Sequence, residues 1–243
     1  MAIYNRENEY LHLLSEREHT VKELASKLYV SEPTVRRDVL VLKKKNLIDC
    51  KNGRVSLRSA SPDLHIPLLA RDMTEQKAKH QIAEIAATRI KDGYTIMLDA
   101  STTAYCLLPH LAKFQNLFVI TNGAKTALAL ATMGIKTICT GGEMVPQSFA
   151  YRGHDAEHTL SAYNADVAFF SCRGISDDGI ATDSSIDENS MRRIMLKNAK
   201  HTVLLCDSSK FGLTYLNTLC RTDEVDELIT NDALPDSIPL KRR

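Results

Sequence analysis

The 243-residue sequence predicts an α/β protein of two domains, a small helical domain over residues 1–58 and a larger α/β domain over residues 74–243. Three observations support this prediction. The first 58 residues contain three short helical patterns and one hairpin pattern. Serines and prolines then interrupt the periodicity over residues 59–73, which is typical of a linker. From residue 74 onward, apolar runs of strand length alternate with helical stretches, as a mostly parallel sheet covered on both faces requires.

The small domain begins with two predicted helices. Apolar residues at helical spacing predict the first helix over residues 6–15. The second helix begins at Thr20, three residues before Glu23, a spacing at which hydroxyl and carboxylate each satisfy a free backbone N–H of the helix start. Its inward stripe consists of Leu24, Ala25 and Leu28.

The third predicted helix begins at Ser31, whose side chain is suited to capping, and Pro33 is tolerated because the first turn needs no N–H. Its inward stripe consists of Val35, Val39 and Leu42. The same periodicity leaves polar and basic residues on the outer face: Thr34, Arg36, Arg37, Lys43, Lys44 and Lys45. Two short helices joined by a tight turn, the second with a basic face, are typical of a helix-turn-helix that binds DNA.

A hairpin is predicted over residues 47–57. Asn52-Gly53 is a strong signal for a tight turn between two short strands. Three helices followed by a hairpin form a winged helix-turn-helix. Lys51 and Arg54 lie beside the turn, where we expect them to contact phosphates of an adjacent groove.

The charge distribution also favours DNA binding by the small domain. Up to Arg58 the chain has 12 basic and 8 acidic residues, a net charge of +4, whereas the remaining 19 basic and 22 acidic residues give −3. The alternative is a helical bundle with ordinary solvated charges. Because Arg36 and Arg37 are about 100° apart on a helix, we expect one to read bases with Thr34 and the other to contact phosphate with the lysines. The predicted DNA-binding residues are Thr20, Ser31, Thr34, Arg36, Arg37, Lys43, Lys44, Lys45, Lys51 and Arg54.

Composition limits the remaining possibilities. No apolar run reaches membrane length and no secretory leader is recognised, so we expect a cytoplasmic protein. The six cysteines are far apart, without a Cys-x-x-Cys pair, and are expected to be reduced and mostly buried. His154 and His158 are four residues apart on a predicted helix, but no third ligand is near, so neither a metal site nor a cofactor is predicted.

Six apolar runs of the larger domain are predicted strands: residues 95–98, 117–120, 136–139, 167–170, 203–206 and, as a later edge element, 223–229. Small or polar residues follow each of the first five runs at once. In open α/β sheets the ligand crevice lies beyond the carboxyl ends of the strands. The sequence therefore predicts a pocket at this edge of the sheet.

The residue types at this edge suit an anionic ligand that carries hydroxyl groups. The hydroxyls of residues 101–103 stand between a strand and a helix, beside unpaired N–H groups that favour an anion such as phosphate. We expect Lys210 to neutralise a phosphate or hold a hydroxyl, and Asp99 and Asp207 to accept hydrogen bonds from sugar hydroxyls. Gly141-Gly142 would let the backbone approach a ligand closely. Alternatively, these residues only cap helices and form turns.

Several segments resemble the DeoR family of bacterial transcriptional regulators. The stretch Val30-Ser-Glu-Pro-Thr-Val-Arg-Arg-Asp38 is similar to the recognition helix of that family. Four segments of the larger domain are similar to family motifs: Asp99-Ala-Ser-Thr-Thr103, Thr121-Asn122, Gly141-Gly142-Glu143 and Asp207-Ser-Ser-Lys-Phe211. The chain departs from the family at Ser101, where glycine is usual, and at Arg173-Gly174, where many members have Asp-Gly. Its wing has Lys51-Asn-Gly53, where many members have a Gly-Gly pair.

The resemblance implies a sensor domain similar to ribose-5-phosphate isomerases, which binds a phosphorylated sugar or related metabolite and thereby changes the affinity for double-stranded operator DNA. We therefore expect a repressor of a carbohydrate-catabolism operon. A homodimer or homotetramer is expected, because a single small domain makes few phosphate contacts and a symmetric assembly reads two half-sites.

The predicted effector-binding residues are Asp99, Ser101, Thr102, Thr103, Thr121, Asn122, Gly141, Gly142, Glu143, Arg173, Lys197, Asp207, Ser208 and Lys210. Arg173 is expected to favour an effector with more negative charge. Lys197, on a helix predicted over residues 187–200, is assigned to the pocket, and Arg192 and Arg193 on that helix are left as surface residues.

Two other functions stay open. An isomerase acting on a sugar phosphate needs a carboxylate base, for which Asp99, Glu143 and Asp183 qualify by residue type. Arg173, at an otherwise acidic position, and the attached DNA-binding domain argue against catalysis, so no enzymatic activity is predicted. The third possibility is a DNA-binding protein whose larger domain only forms oligomers.

Overall fold

The structure is a computed structural model that describes residues 6–7, 9–11, 13–14, 17–45, 47–57, 68–146 and 148–241. The chain divides into two compact units, Met1–Thr74 and Glu75–Arg243. No helix of the described residues is long and apolar enough to cross a membrane.

The first unit contains three helices and a small antiparallel sheet. Helix α1 is described at residues 6–7, 9–11 and 13–14, and its predicted end at residue 15 lies outside the described residues. The other two helices are α2 (Val21–Lys27) and α3 (Glu32–Lys44). The strands are β1 (His19–Thr20), β2 (Ile48–Lys51) and β3 (Arg54–Leu57), in the order β1-β3-β2. Strand β1 was not predicted, because two residues are too few to show a strand pattern.

The hairpin of the first unit turns where the sequence predicts. Asn52 and Gly53 both have positive φ, 51° and 75°, as the tight turn between two twisted strands requires. The core beneath it is formed by the apolar stripes of the three helices together with Leu47, Ile48 and Val55.

The predicted linker over residues 59–73 is partly helical. Residues 58–67 lie outside the described residues, and the rest of the segment forms helix α4 (Leu68–Met73). The break in periodicity that predicted the linker therefore does not extend over these last six residues. The prolines and serines on which that prediction depended all precede them.

The second unit is built on a six-stranded parallel sheet. Its strands are β4 (Thr95–Leu98), β5 (Phe118–Thr121), β6 (Lys136–Cys139), β9 (Val167–Ser171), β12 (Thr202–Leu205) and β14 (Glu227–Ile229). The order across the sheet is β14-β12-β9-β4-β5-β6. Each neighbouring pair is parallel, so all carboxyl ends lie at one edge. The predicted edge element over residues 223–229 is a strand only in its last part, because a 3₁₀ turn occupies Thr222–Glu224.

Helices cover both faces of this sheet. One face packs against α5 (Gln76–Ala87), α6 (Thr102–Tyr105), α7 (Leu108–Leu111) and α8 (Ala124–Thr132). The other face packs against α9 (His154–Ser161) and α10 (Ile186–Asn198). Adjacent strand residues therefore enter different cores: Ile96 and Leu98 belong to the first, and Met97 to the second.

Two small β-structures of the second unit were not predicted. A hairpin joins β7 (Glu143–Val145) to β8 (Ala150–Arg152). An antiparallel sheet contains β10 (Gly174–Ile175), β11 (Ile180–Asp183) and β13 (Asn217–Arg221), in that order. These strands are short and mix polar with apolar residues, so they lack the continuous apolar runs by which the parallel strands were recognised.

The cysteines are free thiols, of which Cys172, Cys206 and Cys220 are buried.

Candidate functional site

The helix-turn-helix begins each of its two helices with the predicted cap. Thr20 accepts the N–H of Glu23 at 3.2 Å, and the Glu23 carboxylate accepts the N–H of Thr20 at 2.7 Å. These hydrogen bonds lower the pKa of Glu23 to about 2. Ser31 accepts the N–H of Thr34 at 3.4 Å, and their hydroxyls lie 2.9 Å apart. The hydroxyls of Thr20 and Ser31 thus define where α2 and α3 begin.

Helix α3 exposes four of the ten predicted DNA-binding residues. Arg36, Arg37, Lys43 and Lys44 are exposed, and Arg36 forms a 3.4 Å ion pair with Glu32 of its own first turn. Three further cations are also exposed, at Lys45, Lys51 and Arg54. Lys45 pairs with Glu7 at 2.5 Å and Arg54 with Glu18 at 2.8 Å, so each would exchange an existing carboxylate for a phosphate.

A buried carboxylate on α3 fixes that helix to α1. Asp38 is 4% exposed, and its Oδ2 atom lies 3.2 Å from Nε of Arg6 and 3.4 Å from the hydroxyl of Tyr10, which donates to it. Burial and the adjacent carboxylate raise the pKa of Tyr10, so the phenol keeps its proton. These contacts hold the orientation of the basic face.

In the second unit, Asp99 follows β4 and is buried at the carboxyl edge of the sheet. It accepts the N–H groups of Ser101 at 3.1 Å and Ser171 at 3.2 Å. Its Oδ2 atom also lies 2.9 Å from Nε of Arg192. The predicted acceptor is therefore present, but its oxygens are already engaged with the protein.

Arg192 on α10 was predicted at the surface, and this prediction is wrong. It is 3% exposed and bonds Asp183 at 2.7 Å and Glu188 at 3.1 Å in addition to Asp99. Burial disfavours its charged form, but the three carboxylates outweigh burial and raise the pKa of Arg192. One signal was available in the sequence: Asp99, predicted at the end of a buried strand, requires a positive charge nearby.

Lys197 was predicted to face the pocket, but it is exposed on the last turn of α10. It follows Arg192 by five residues, which is about 500° of rotation, so the two side chains lie about 140° apart around the helix. The helix therefore presents Arg192 to the strand ends and Lys197 to solvent. Arg193 is also exposed, as predicted, and donates to the carbonyl of Leu219 at 3.3 Å.

Residues 101–103 form a buried polar turn after β4. Ser101 accepts the N–H of Ala104 at 3.1 Å and begins α6, so one of the N–H groups expected to favour an anion is already bonded. Thr102 and Thr103 are buried. The Oγ1 atom of Thr103 has no hydrogen-bond partner among the described residues.

A cation and a carboxylate follow β12 at the same edge. Lys210 donates to Ser171 Oγ at 3.1 Å and lies 3.3 Å from Asp207 Oδ2. Burial disfavours the Lys210 ammonium, but Asp207 outweighs burial and raises the pKa of Lys210. Burial likewise opposes ionisation of Asp207, whereas Lys210, a hydrogen bond from Ser209 and the charge of Lys79 lower its pKa. Lys79, buried on α5, is a site cation that sequence reasoning missed.

The strand end after β5 is also polar and buried. Thr121 accepts the N–H of Gly123 at 3.0 Å, and the amide nitrogen of Asn122 donates to the carbonyl of Tyr151 at 3.2 Å. The Oδ1 atom of Asn122 has no hydrogen-bond partner within the described part of the chain. After β12, Ser208 has a reciprocal pair of hydrogen bonds with the Asn231 side chain.

One glycine of the pair after β6 serves the packing of the chain. Gly141 and Gly142 have φ of 68° and 98°, and a Cβ atom at Gly142 would lie 2.7 Å from the carbonyl oxygen of Arg152. The neighbouring backbone therefore requires glycine at position 142. A Cβ atom at Gly141 would meet no described atom within 4 Å, so the predicted contact of the pair with a ligand stays a prediction. Glu143 is exposed and pairs with Arg152 at 2.9 Å, and Arg152 also lies 2.7 Å from Asp187 of α10.

Arg173 stands close to the carboxylates of the buried network. It is nearly buried, its Nε atom lies 3.8 Å from Asp183 Oδ1, and its guanidinium lies 5.6 Å from the ring centre of Tyr215.

The rings of His154 and His158 stack with their centres 6.2 Å apart, and the described residues contain no group of three or more residues suited to hold a metal ion.

A winged helix-turn-helix with a basic face, together with a parallel α/β unit whose strand ends carry a buried charged network, defines a DNA-binding regulator with a ligand-sensing domain. Two family models match the chain: an HTH domain over residues 6–54 and the DeoR C-terminal sensor domain over residues 74–232. The chain belongs to the DeoR family of transcriptional regulators.

Curated relatives match along nearly the whole chain. The HTH-type transcriptional regulator GolR of Listeria innocua is 33% identical, over 96% of this chain and 92% of its own length. The HTH-type transcriptional repressor GlcR of Bacillus subtilis is 33% identical, over 89% of this chain and 83% of its own length. The glycerol-3-phosphate regulon repressor of Escherichia coli is 28% identical, over 90% of this chain and 86% of its own length.

One solved structure shares the fold over most of the chain. The translation initiation factor eIF-2B of Pyrococcus horikoshii is similar with a TM-score of 0.51 and 14% identity, over 94% of this chain and 88% of that one. Ribose 5-phosphate isomerase A of Methanocaldococcus jannaschii is similar over 57% of this chain and 55% of that one, with a TM-score of 0.43 and 19% identity.

Proposed function

We propose that this regulator represses a carbohydrate-catabolism operon and that a phosphorylated sugar or related metabolite relieves the repression. The observation that carries the proposal is a set of buried polar groups at one edge of the sheet. Thr103 and Asn122 each present a buried oxygen without a hydrogen-bond partner among the described residues, after neighbouring strands. Buried polar atoms are normally paired, so two together favour a polar ligand.

The charges at this edge support a phosphorylated ligand. Lys79 and Lys210 are buried or nearly buried cations at this edge of the sheet. The Asp99 and Asp207 carboxylates would accept hydrogen bonds from ligand hydroxyl groups through the lone pairs that their protein partners leave open, since a carboxylate has about four acceptor sites. Arg173 adds a further positive charge beside Asp183. Two relatives are repressors, one of them of a glycerol-3-phosphate regulon, which supports both the sign of regulation and the ligand class.

Regulation requires that the effector bind one conformation of the protein more tightly than another, because differential affinity sets the size of the shift. We propose that the effector-bound conformation holds paired DNA-binding domains at a spacing that fits the operator poorly. The DNA-binding domains are paired in this proposal because a symmetric dimer or tetramer reads two half-sites of the operator.

Catalysis is not part of this proposal. An isomerase base must be free to take a proton from the substrate. Asp99 and Asp183 are both paired with Arg192, and Glu143 is paired with Arg152 on the exposed hairpin. The candidate bases are therefore held as charge partners. Incubation with phosphorylated sugars, followed by NMR, is expected to show no isomerised product.

Calorimetric titration of the full-length protein tests the ligand class. Each phosphorylated sugar is compared with the same sugar without phosphate, and only the phosphorylated form is expected to bind. Lys210→Met should abolish that binding. Lys197→Met, the same change on the exposed face of α10, is the matched control and should bind like the unmodified protein. Equal binding of a sugar with and without phosphate would contradict the proposal.

A further inference from the structure

The turn between α2 and α3 contains a tyrosine whose backbone is strained and whose side chain is almost fully exposed to solvent. Tyr29 has a φ of 54°, in the left-handed region that favours glycine, and it is 95% exposed. The N–H of Val30 donates to the carbonyl of Ala25 at 3.0 Å, and the N–H of Tyr29 donates to that of Ser26 at 3.4 Å. These two hydrogen bonds form the helix-ending motif in which the left-handed residue is usually glycine.

Nothing within the described first unit compensates for this strain through the side chain, because the ring and hydroxyl of Tyr29 are almost completely in solvent. A side chain in the left-handed region carries a steric cost that glycine avoids. Backbone strain that persists without a compensating contact points to a function of the residue concerned.

The position of Tyr29 indicates the function. It precedes Ser31, the residue that caps α3, by two positions. In a helix-turn-helix bound to DNA, the first helix crosses the sugar-phosphate backbone and the N-terminal part of the second enters the major groove. The connecting turn therefore passes the edge of the groove, where phosphates are the nearest groups. A tyrosine hydroxyl is among the side chains that donate to phosphate.

We propose that the hydroxyl of Tyr29 donates a hydrogen bond to a phosphate oxygen of the bound DNA and thereby positions α3 in the groove. The inference rests on DNA binding by the first unit. A phosphate contact carries no base information, so Tyr29 contributes equally to operator and to unrelated duplex DNA. The strain at Tyr29 is thus retained for DNA binding at the expense of stability.

Fluorescence anisotropy of the full-length protein tests this contact, with DNA from upstream of its own gene and with an unrelated duplex. Tyr29→Phe removes only the hydroxyl and should raise the Kd for both DNAs about five-fold, which corresponds to about 1 kcal/mol. Tyr163→Phe removes a hydroxyl from the second unit and should leave both Kd values unchanged.

Tyr29→Gly separates the contact from the strain. It should raise the unfolding temperature of the first unit while it weakens DNA binding at least as much as Tyr29→Phe does. Binding of Tyr29→Phe within two-fold of the unmodified protein would overturn the proposal, and so would a Tyr29→Gly variant that is more stable and binds equally well. Absence of DNA binding by the unmodified protein would instead overturn the proposed function.

Discussion

Nε of Arg192 lies 2.9 Å from Oδ2 of Asp99, and both side chains are almost completely buried. The contact joins the carboxyl end of β4 to α10. A second ion pair of 2.7 Å, from the same guanidinium to Asp183, extends the connection to β11. One side chain therefore links three elements around the candidate effector site, so a ligand that shifts Asp99 also acts on α10.

Loss of the Arg192 cation should destabilise the second unit. Arg192→Met leaves the Asp99 carboxylate buried without its counter-charge and leaves Asp183 with the longer 3.8 Å contact to Arg173. Breaking a buried pair in this way costs about 3–5 kcal/mol. Urea unfolding followed by circular dichroism measures the change. Lys197→Met, on the exposed face of the same helix, should change stability by less than about 0.5 kcal/mol. Equal effects of the two substitutions would contradict the assigned role of Arg192.

The predicted roles of Asp99 and Arg37 are separable by mutation. Asp99→Ala should abolish effector binding while it leaves operator binding in place, because Asp99 belongs to the second unit. Arg37→Ala should do the reverse and weaken operator binding. The loss should be about 1–3 kcal/mol if Arg37, rather than Arg36, is the arginine that reads a base. Calorimetry and fluorescence anisotropy on both variants give the two affinities. Unchanged effector affinity in Asp99→Ala would mean that the effector binds elsewhere.

Lys91→Ala is the control for Arg37→Ala. It removes one positive charge from an exposed position in the second unit. If both variants lost operator affinity equally, the effect would reflect overall charge and would contradict a specific contact by Arg37.

Asp38 should affect DNA binding through the orientation of α3. Asp38→Ala removes the acceptor shared by Arg6 and Tyr10 and leaves the buried phenol unpaired, which costs about 1–3 kcal/mol. Operator affinity should fall together with the stability of the first unit. Tyr10→Phe removes only the longer hydrogen bond and should have the smaller effect on both measurements. A stable Asp38→Ala variant with reduced operator affinity would indicate direct contact with DNA instead.

The stability of the second unit should depend on the ionisation of Asp207. Lys210 contributes to lowering the pKa of Asp207 in the folded protein below its ordinary value of 3.8. A lowered folded-state pKa contributes stability above the unfolded pKa, and this contribution is lost as the pH falls through the folded pKa. Thermal unfolding between pH 2 and 7 should therefore show Asp207→Asn less stable than the unmodified protein at neutral pH, with the difference shrinking in acid.

Lys210 has the opposite dependence at high pH. Its folded-state pKa is raised above 10.5, so its contribution to stability is complete below that value and is lost as the pH rises through the folded pKa.

For the test of Asp207 in acid, a stability difference between Asp207→Asn and the unmodified protein that stayed constant down to pH 2 would show that the carboxylate charge is not responsible.

Regular features of the fold were predictable from local sequence. Continuous apolar runs marked the parallel strands because both faces of that sheet are buried, and Thr20 and Ser31 marked two helix starts because capping acts within one turn. Arg192 and Lys197 could not be distinguished in this way. Both are basic residues on one helix, and only their rotation relative to the sheet makes one a buried counter-charge and the other a surface residue.

The glycines and the small strands show the same limit. Gly142 is required by the carbonyl of Arg152, and β11 pairs with β13 more than thirty residues later in the chain. Such contacts arise from tertiary structure, which a motif in a single segment does not encode. The strand-end pattern indicated the edge where the candidate site lies, but it did not indicate which of its oxygens are already bonded.

The most direct test is release of operator DNA by a phosphorylated sugar. Fluorescence anisotropy of the full-length protein on DNA from upstream of its own gene and the adjacent operon, titrated with a panel of such compounds, measures it. The account predicts that one compound raises the Kd for operator at least ten-fold, and that Asp99→Ala binds the operator but does not respond. Tight binding that no compound alters, or release that persists in Asp99→Ala, would contradict it.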